Sequence, residues 1–137
     1  MKKFDTEYIS NKKADLEELK VMIENLFTED SQEWISIFDT SKKNLNYIQV
    51  HSDIGILDDI NPVIKFITSV LNYDVNVIDE KDFYLIEYRK YENEKDFRHY
   101  RAFFDKYETI ISYIERYMND EEIDTQKWID VTEEFEE

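Results

Sequence analysis

An unbroken apolar spacing near the carboxyl end of the chain restricts its fold more than any other feature. Seven apolar side chains follow one another at alternating intervals of three and four residues: Phe97, Tyr100, Phe104, Tyr107, Ile111, Ile114 and Met118. Side chains at these intervals lie along one face of a helix. The spacing therefore predicts a helix over about residues 94–119, which would be roughly 39 Å long at 1.5 Å per residue.

The apolar face of this predicted helix is wide. Four more side chains extend it beyond the narrow seam of a coiled coil: Phe103, Ile110, Tyr113 and Tyr117. One interpretation is a core helix that lies across a sheet, with Phe104, Ile111 and Ile114 buried. The other is a helix whose surplus aromatic side chains form the interface of a dimer or of a complex with a partner.

The first half of the chain predicts a helix followed by a hairpin. The helix extends over about residues 11–27, with Ser10 as its N-cap. Its buried face consists of four side chains at helical spacing: Leu16, Leu19, Ile23 and Leu26. Residues 33–39 and 45–51 have the pattern of strands, and residues 40–44 would join them.

A second helix and a second hairpin are predicted to follow. Asn61 and Pro62 suit the start of a helix, and Asn72 suits its end in the left-handed conformation. Residues 74–78 and 83–91 then have the pattern of two paired strands.

From Asp120 the chain is acidic and has an apolar spacing of its own. Trp128, Val131 and Phe135 would lie on one helical face, with Thr125 as the N-cap. A short docked helix is the favoured interpretation. An extra strand or a loose tail is the alternative.

Together these elements predict an α+β fold in one domain over residues 1–137. Two hairpins, about four strands, would form an antiparallel sheet packed with three main helices. The predicted order is α-ββ-α-ββ-α, followed by a short acidic element within the segment 119–137. Gly55 is the one glycine of the chain, so asparagine and aspartate are expected at tight turns, because they tolerate positive φ.

Residue counts argue against the common catalytic motifs. One glycine is too few for a phosphate-binding loop, a dinucleotide fingerprint or the nucleophile elbow of hydrolases. Without cysteine, the chain has no thiolate nucleophile, thiolate metal site or disulfide. His51 and His99 are its two histidines, which argues against zinc motifs, and His99 is expected as a partly exposed residue of the long helix. We expect a protein that is not an enzyme and has no cofactor.

One group of side chains has the chemistry to bind a divalent cation. His51 and Asp53 are close in sequence, Asp39 would lie across the first hairpin, and Asp58 and Asp59 follow. Carboxylates and imidazole are ligands for such ions. The segment lacks the regular alternation and the fixed glycine of a calcium loop, so a solvated strand end is favoured and no metal site is predicted.

The net charge of the chain is −16, and half of it lies at the carboxyl end. Residues 119–137 have one lysine and nine acidic side chains. Such a surface repels nucleic acid and anionic lipid and attracts basic protein. No apolar run approaches the roughly 20 residues of a membrane span. We therefore expect a cytoplasmic protein that binds neither nucleic acid nor membranes.

The favoured functional hypothesis is that the acidic surface binds and inhibits a basic protein. Its leading form is an immunity protein or antitoxin that neutralises a bacterial toxin such as a nuclease. One alternative is a phage-type inhibitor that mimics DNA, and another is a structural or regulatory subunit that dimerises through the helix over residues 94–119. The alternative without a binding role is that the acidic surface is solvated and only keeps the protein soluble.

The side chains expected to contact a partner combine carboxylates with aromatic anchors, since charge accelerates association and buried aromatic residues supply affinity. They are Asp53, Asp58, Asp59, Tyr113, Tyr117, Glu121, Glu122, Asp124, Trp128, Asp130, Glu133 and Glu134.

Overall fold

Seven strands form one antiparallel sheet in the computed structural model, which describes residues 1–26, 33–40, 46–52, 59–74, 83–92 and 95–135. The spatial order of the strands is β2-β1-β3-β4-β5-β6-β7. In chain order they are Lys2–Asp5 (β1), Lys12–Lys13 (β2), Trp34–Asp39 (β3), Tyr47–His51 (β4), Tyr84–Tyr91 (β5), Phe97–Phe104 (β6) and Ile129–Asp130 (β7).

Three α-helices and one 3₁₀ helix accompany the sheet in the described residues. They are Leu16–Glu24 (α1), Asn61–Ser69 (α2), Tyr107–Met118 (α3) and the terminal 3₁₀ helix Thr132–Phe135. Helix α3 contacts α1 and strands β4, β5 and β6, whereas α2 and the 3₁₀ helix contact β6. None of the described helices is both long and apolar enough to cross a membrane.

One face of the sheet, the core face, is apolar and lies under α1 and α3. Ile35, Val50, Ile86 and Ala102 are in register across four neighbouring strands, and none of them is exposed. Because successive residues of a strand point to opposite faces, their neighbours lie on the other side of the sheet. Burial of these apolar side chains against the helices is the main stabilising contribution of this face.

The opposite face, the outer face, has polar side chains in the equivalent row. Ser36, Gln49, Glu87 and Arg101 are in register across β3 to β6. The terminal 3₁₀ helix packs on this face, where the ring of Phe135 lies 4.2 Å from that of His99, centroid to centroid. A sheet with two covered faces therefore combines an apolar side and a side with buried polar groups.

The predicted helix over residues 94–119 is wrong in its first half. Residues Phe97–Phe104 form strand β6, which pairs with β5 along its whole length and with β7 on its other side. The helix begins only at Tyr107. Pairing on both sides satisfies the backbone of this segment, and this tertiary context overrides the helical spacing of its apolar residues. His99 is accordingly a fully buried strand residue and not a partly exposed helical one.

The predicted number and order of strands are also wrong, although the fold is α+β with an antiparallel sheet. The chain begins with the hairpin β1–β2, where a helix had been predicted from residue 11; α1 starts at Leu16. Asn11 has a φ of 56°, which a helix does not accommodate. Most of the strand predicted over residues 74–78 lies outside the described residues, and β5 pairs with β4 and β6.

Local signals predicted other elements correctly. Strands β3 and β4 pair as the expected hairpin, and α2 begins at Asn61 with Pro62 in its first turn. After this helix Asn72 has a φ of 61°, the left-handed conformation predicted for it, and the backbone N–H of Tyr73 donates to the carbonyl of Ile67 at 3.1 Å. Asparagine and aspartate occupy the three positive-φ positions of the described chain: Asn11, Asn72 and Asp120.

The buried face of α3 differs from the predicted one. Ile110, Ile114 and Tyr117 are buried, so of the predicted core residues Ile114 is confirmed, whereas Phe104 and Ile111 are half-buried. This face packs against the sheet and α1 of the same chain. Dimerisation through a helix over residues 94–119 consequently loses its structural basis.

Candidate functional site

The acidic carboxyl end of the chain is docked on the sheet. Ile123, Trp128, Val131 and Thr132 are buried. Strand β7 extends the sheet at β6, and the backbone N–H of Val131 donates to the carbonyl of His99 at 2.8 Å. The predicted helix with Thr125 as its cap is wrong, and the alternative of an extra strand is the observed arrangement. Residues 120–135 thus form a structured segment, here called the C-terminal segment.

Docking fixes the positions of six predicted carboxylates on the surface. All six are exposed: Glu121, Glu122, Asp124, Asp130, Glu133 and Glu134. Asp130 is the most constrained, since it accepts hydrogen bonds from the hydroxyl and the backbone N–H of Thr132. The Thr132 hydroxyl and backbone, with Arg98 nearby, hold the pKa of Asp130 below its ordinary value. Asp130 is therefore an ionised carboxylate at a defined place.

Three clefts border the C-terminal segment and divide the predicted site residues among them. The first, the tyrosine cleft, has a volume of about 530 Å³ and lies between the sheet, the end of α3 and residues 120–125. It is lined by Tyr88 and Tyr100 from the core face, by Tyr117 from α3, and by acidic side chains that include Glu121 and Glu122. Beyond the ends of the helices, the core face of the sheet thus continues with two tyrosines, Tyr88 and Tyr100, whose hydroxyl groups are polar.

Tyr117 is the most firmly held side chain of the tyrosine cleft. Its hydroxyl donates to the backbone carbonyl of Asn46 at 3.0 Å, and its ring lies edge-on to Tyr88 at a centroid distance of 6.3 Å. The ammonium of Lys2 lies 5.9 Å from the centre of the Tyr117 ring and 2.9 Å from an oxygen of Asp120. One cation of the chain is therefore already held between a tyrosine face and a carboxylate at this place.

The electrostatic field in the tyrosine cleft is negative around its hydroxyls. Burial raises the pKa of Tyr117, and the carboxylates of Asp39 and Asp120 raise it further. The pKa of Tyr88 is raised first by burial and then by the Glu122 carboxylate. Both tyrosines therefore stay protonated and neutral at physiological pH.

The second cleft, the aromatic cleft, contains two of the three predicted aromatic contacts, Tyr113 and Trp128. It has a volume of about 660 Å³, and Tyr113 and Trp128 meet there edge to face at 5.0 Å, beside Phe104. Trp128 is only 7% exposed, so it belongs mainly to the core and offers a partner little surface. Asp124 lies at the rim, together with Lys127.

The third cleft, the acidic cleft, collects four of the predicted carboxylates. Asp59, Asp130, Glu133 and Glu134 line a space of about 400 Å³. Arg101 is also in the lining, and its guanidinium lies 3.0 Å from a carboxylate oxygen of Glu134. Part of the negative charge of this cleft is therefore neutralised within the chain. The predicted residues Asp53 and Asp58 lie outside the described residues.

A buried polar cluster on the outer face was missed by sequence reasoning. The guanidinium of Arg101 contacts the carboxylate of Glu87 at 2.7 Å, and Nε of Arg89 donates to Nδ1 of His99 at 3.0 Å. Nε2 of His99 lies 3.6 Å from Glu87, longer than a hydrogen bond. Burial opposes ionisation of Glu87, but the His99 ring and the Arg101 charge outweigh it, and the pKa of Glu87 is below its usual value.

The ring of Phe135 and the charge of Arg89 close this cluster from outside. Arg89 lies over the rings of Phe97 and Phe135, at 4.3 and 4.7 Å from their centres. Phe135 thus covers the His99 and Arg89 side of the cluster and attaches the C-terminal segment to the sheet, whereas Arg101 also borders the acidic cleft.

The described members of the group considered for a divalent cation are not brought together, and Asp53 and Asp58 lie outside the described residues. Asp39 and His51 lie at opposite ends of the β3–β4 hairpin, since Trp34 is the residue that pairs with His51. Asp39 is instead close to the amino terminus and to Lys2, and Nε2 of His51 is 2.9 Å from the side-chain nitrogen of Gln49. Among the residues that the structure describes, no three histidine or carboxylate side chains are grouped as metal ligands are.

The signal for the tyrosine cleft was present in the sequence but incomplete. Tyr84, Ile86 and Tyr88 alternate as in a strand, which places Tyr88 on the face of the buried isoleucine. Tyr100 pairs with Tyr88 across β5 and β6, but the helical spacing had assigned it to a helix.

The chain was also compared with known proteins. It matches no protein-family model, no curated protein and no solved structure. The function of this chain is therefore inferred from its own side chains, clefts and charges.

Proposed function

We propose that this protein is a non-enzymatic inhibitor that binds a basic protein, in the manner of an immunity protein or antitoxin acting on a toxin such as a nuclease. The observation that carries the proposal is the docked C-terminal segment, which fixes six exposed carboxylates beside clefts with aromatic walls. A basic protein is the partner whose charge complements this surface.

The density of charge supports rapid association. Carboxylates of one sign raise the local concentration of a positively charged partner, and steered association reaches about 10⁸–10⁹ M⁻¹s⁻¹ at low salt. Because the segment is held by buried residues such as Trp128 and Val131, its backbone does not need to be ordered on binding. Less conformational entropy is then lost in the complex.

The aromatic walls supply what charge alone lacks. Exposed charge pairs at a rim change association rates more than affinity, whereas partly buried aromatic side chains in the centre of an interface supply most of the binding energy. Tyr113 and Tyr100 are half-buried and border clefts next to the acidic residues. Acidic steering and aromatic anchoring are thus adjacent on one side of the molecule.

The proposal is tested by capture of a partner from a lysate of the source organism at low salt, followed by kinetics with the purified partner. We expect a basic protein whose own activity is lost in a stoichiometric complex. Its association rate should fall as salt is raised, since screening limits exposed charges to about 8 Å at physiological ionic strength. A captured toxin supports the immunity form, and a host or defence enzyme that binds DNA supports the mimic of DNA.

A matched pair of variants separates the position of the charge from its amount. Glu121→Gln/Glu122→Gln/Glu133→Gln removes three carboxylates from the C-terminal segment. The control removes three exposed carboxylates from helices α1 and α3: Glu17→Gln/Glu24→Gln/Glu115→Gln. We expect the first variant to associate about tenfold more slowly and the control to change little. Equal rates in both variants and in the unchanged protein, with no dependence on salt, would mean that the acidity serves solubility alone.

A further inference from the structure

We propose that the tyrosine cleft binds an arginine side chain of the partner, with its guanidinium beside the rings of Tyr88 and Tyr100 and the carboxylates of Glu121 and Glu122. That this arginine belongs to a partner protein rests on the proposed function. The chemistry of the cleft is argued from its own lining.

The size and the walls of the cleft suit such a side chain. About 530 Å³ is within the range of small-molecule sites, roughly 300–1,000 Å³. Three tyrosine rings line it: Tyr88, Tyr100 and Tyr117. Aromatic faces attract cations, and the planar guanidinium of arginine stacks on them.

The free charges of the lining have an excess of carboxylates. Of the lining charges, Asp120 is paired with Lys2, which is not itself in the lining, and Arg98 is paired with Asp130, at 2.9 and 3.5 Å. Three carboxylates of the cleft lining have no ion pair within the part of the chain that the structure describes: Glu92, Glu121 and Glu122. Among the described residues of the lining, Lys90 is the one cation that has no ion pair. Three carboxylates against one ammonium favour a cationic ligand.

The contact of Lys2 with Tyr117 shows how a cation is accommodated here. Its ammonium lies over the ring at 5.9 Å and pairs with Asp120 at the same time. Tyr88 and Tyr100, with Glu121 and Glu122, repeat these two components on the open side of the cleft. The negative field that raises the pKa of Tyr88 comes in part from Glu122, which is consistent with attraction of a cation to this side.

Arginine fits these components better than lysine. Its guanidinium is planar and weakly hydrated, so it can stack on a ring and donate two parallel hydrogen bonds to a carboxylate. An ammonium is compact and strongly hydrated, and it makes neither contact as well.

The neighbouring clefts lack this combination. In the aromatic cleft Arg116 and Lys127 balance Glu108 and Asp124, so its lining has no net charge to select a cation. In the acidic cleft Arg101 already occupies a position against Glu134, and no tyrosine is in the lining.

The test uses N-acetyl-arginine amide as the probe and N-acetyl-citrulline amide as its neutral isostere. Each is titrated into the ¹⁵N-labelled protein at low salt and followed by amide chemical shifts. We expect saturable shifts from arginine at residues of β5, β6 and 117–125, and none from citrulline. Equal shifts with both probes, or arginine shifts centred elsewhere on the acidic surface, would overturn the inference.

Variants identify the contributions of ring and carboxylate. Tyr100→Ala should weaken arginine binding between about twofold and thirtyfold, which corresponds to the range of a cation–π contact, and Tyr100→Phe should retain it because the ring remains. Glu121→Gln/Glu122→Gln should weaken it as well, whereas Glu17→Gln/Glu115→Gln should not. Tyr100 is half-buried, and the amide spectrum of each variant reports whether it remains folded.

Failure of this inference is distinguishable from failure of the proposed function. If a basic partner is captured in a charge-dependent way but arginine does not bind in the cleft, the inference about arginine is wrong and the proposed function is still supported. Saturable arginine binding in the cleft, with no charge-dependent basic partner, supports the cleft and overturns the function.

Discussion

Strand β6 and helix α3 follow each other in the chain and share one apolar spacing, yet they differ in every other structural respect. In β6 the spacing comprises Phe97, Tyr100 and Phe104, which the strand distributes over both faces of the sheet. In α3 it continues through Ile111 and Ile114 on a helix. The same interval of three and four residues is therefore compatible with both structures.

The polar residues between the apolar ones explain the difference. In β6 every second residue, His99, Arg101 and Phe103, lies on the outer face. Two of these are polar: His99 pairs with Arg89, and Arg101 pairs with Glu87. In α3 the intervening polar residues, such as Glu108 and Glu115, are exposed. A strand whose polar side chains are buried loses the hydrophobic alternation that identifies strands in a sequence.

The largest expected effect tests the polar side of β6. Glu87→Gln removes the buried partner of Arg101 and should lower the free energy of unfolding by about 3–5 kcal/mol, because a buried, hydrogen-bonded charge pair loses one member and Arg101 keeps only its exposed partner Glu134. Urea denaturation measures this loss. The control is Glu134→Gln, which removes the exposed partner of the same arginine and should cost less than about 1 kcal/mol. A similar small loss for both variants would mean that the β6 cluster is not a stabilising element.

The pH dependence of the same pair gives a second measure. The pKa of Glu87 is lower in the folded protein than its ordinary value of 4.5, so the unfolded state binds a proton more readily. The contribution of Glu87 to stability is then present above about pH 4.5 and is lost as the pH falls through the folded pKa. We expect the difference between the unchanged protein and Glu87→Gln to narrow on acidification.

The next effect tests the apolar face of α3. The apolar spacing predicts that Ile111 and Ile114 are both buried. In the structure Ile114 is fully buried, whereas Ile111 is half-buried. Ile114→Ala should cost about 2–5 kcal/mol, the usual range for a buried aliphatic residue, and Ile111→Ala should cost about half as much. Urea denaturation again provides the measurement. Equal losses would show that the helix is rotated from its position in the structure.

The sequence was sufficient where the signals are local. Pro62 predicted the first turn of α2 and Asn72 the left-handed residue after it through their φ preferences, although the N-cap is Ile60 and not Asn61. Alternation predicted the hairpin of β3 and β4. Strands β1 and β7 could not be predicted this way. Strand β1 has Phe4 as its one apolar residue and β7 has two residues, so both depend on pairing with a longer strand.

The candidate site could be predicted in charge but not in shape. The acidic composition of residues 119–137 indicated where carboxylates are concentrated, and Tyr117 was included as an aromatic contact. Tyr100 was missed because its meeting with Tyr88 requires the β5–β6 pairing, which is a contact between strands. Trp128 was expected at the surface and is buried, because β7 attaches the segment to the sheet.

The smallest effect separates strand from helix by intrinsic preference alone. Arg98 of β6 and Ser112 of α3 are both exposed, so each accepts alanine or threonine without a change in core packing. Comparing the two variants at one site cancels the loss of the original side chain, including the contact of Arg98 with Asp130. Threonine favours strands on a scale that spans about 1 kcal/mol, whereas alanine is the best helix former, by about 0.6 kcal/mol over threonine.

The expected result is a reversal of sign. At position 98 the threonine variant should be more stable than the alanine variant, and at position 112 the alanine variant should be more stable, each by about 0.5 kcal/mol in thermal or urea denaturation. Alanine being preferred at both positions would indicate that residues 97–104 are helical, as the apolar spacing alone predicts. Since Arg98 and Ser112 lie in segments with the same apolar spacing, a reversal can come only from the backbone conformation that each segment adopts.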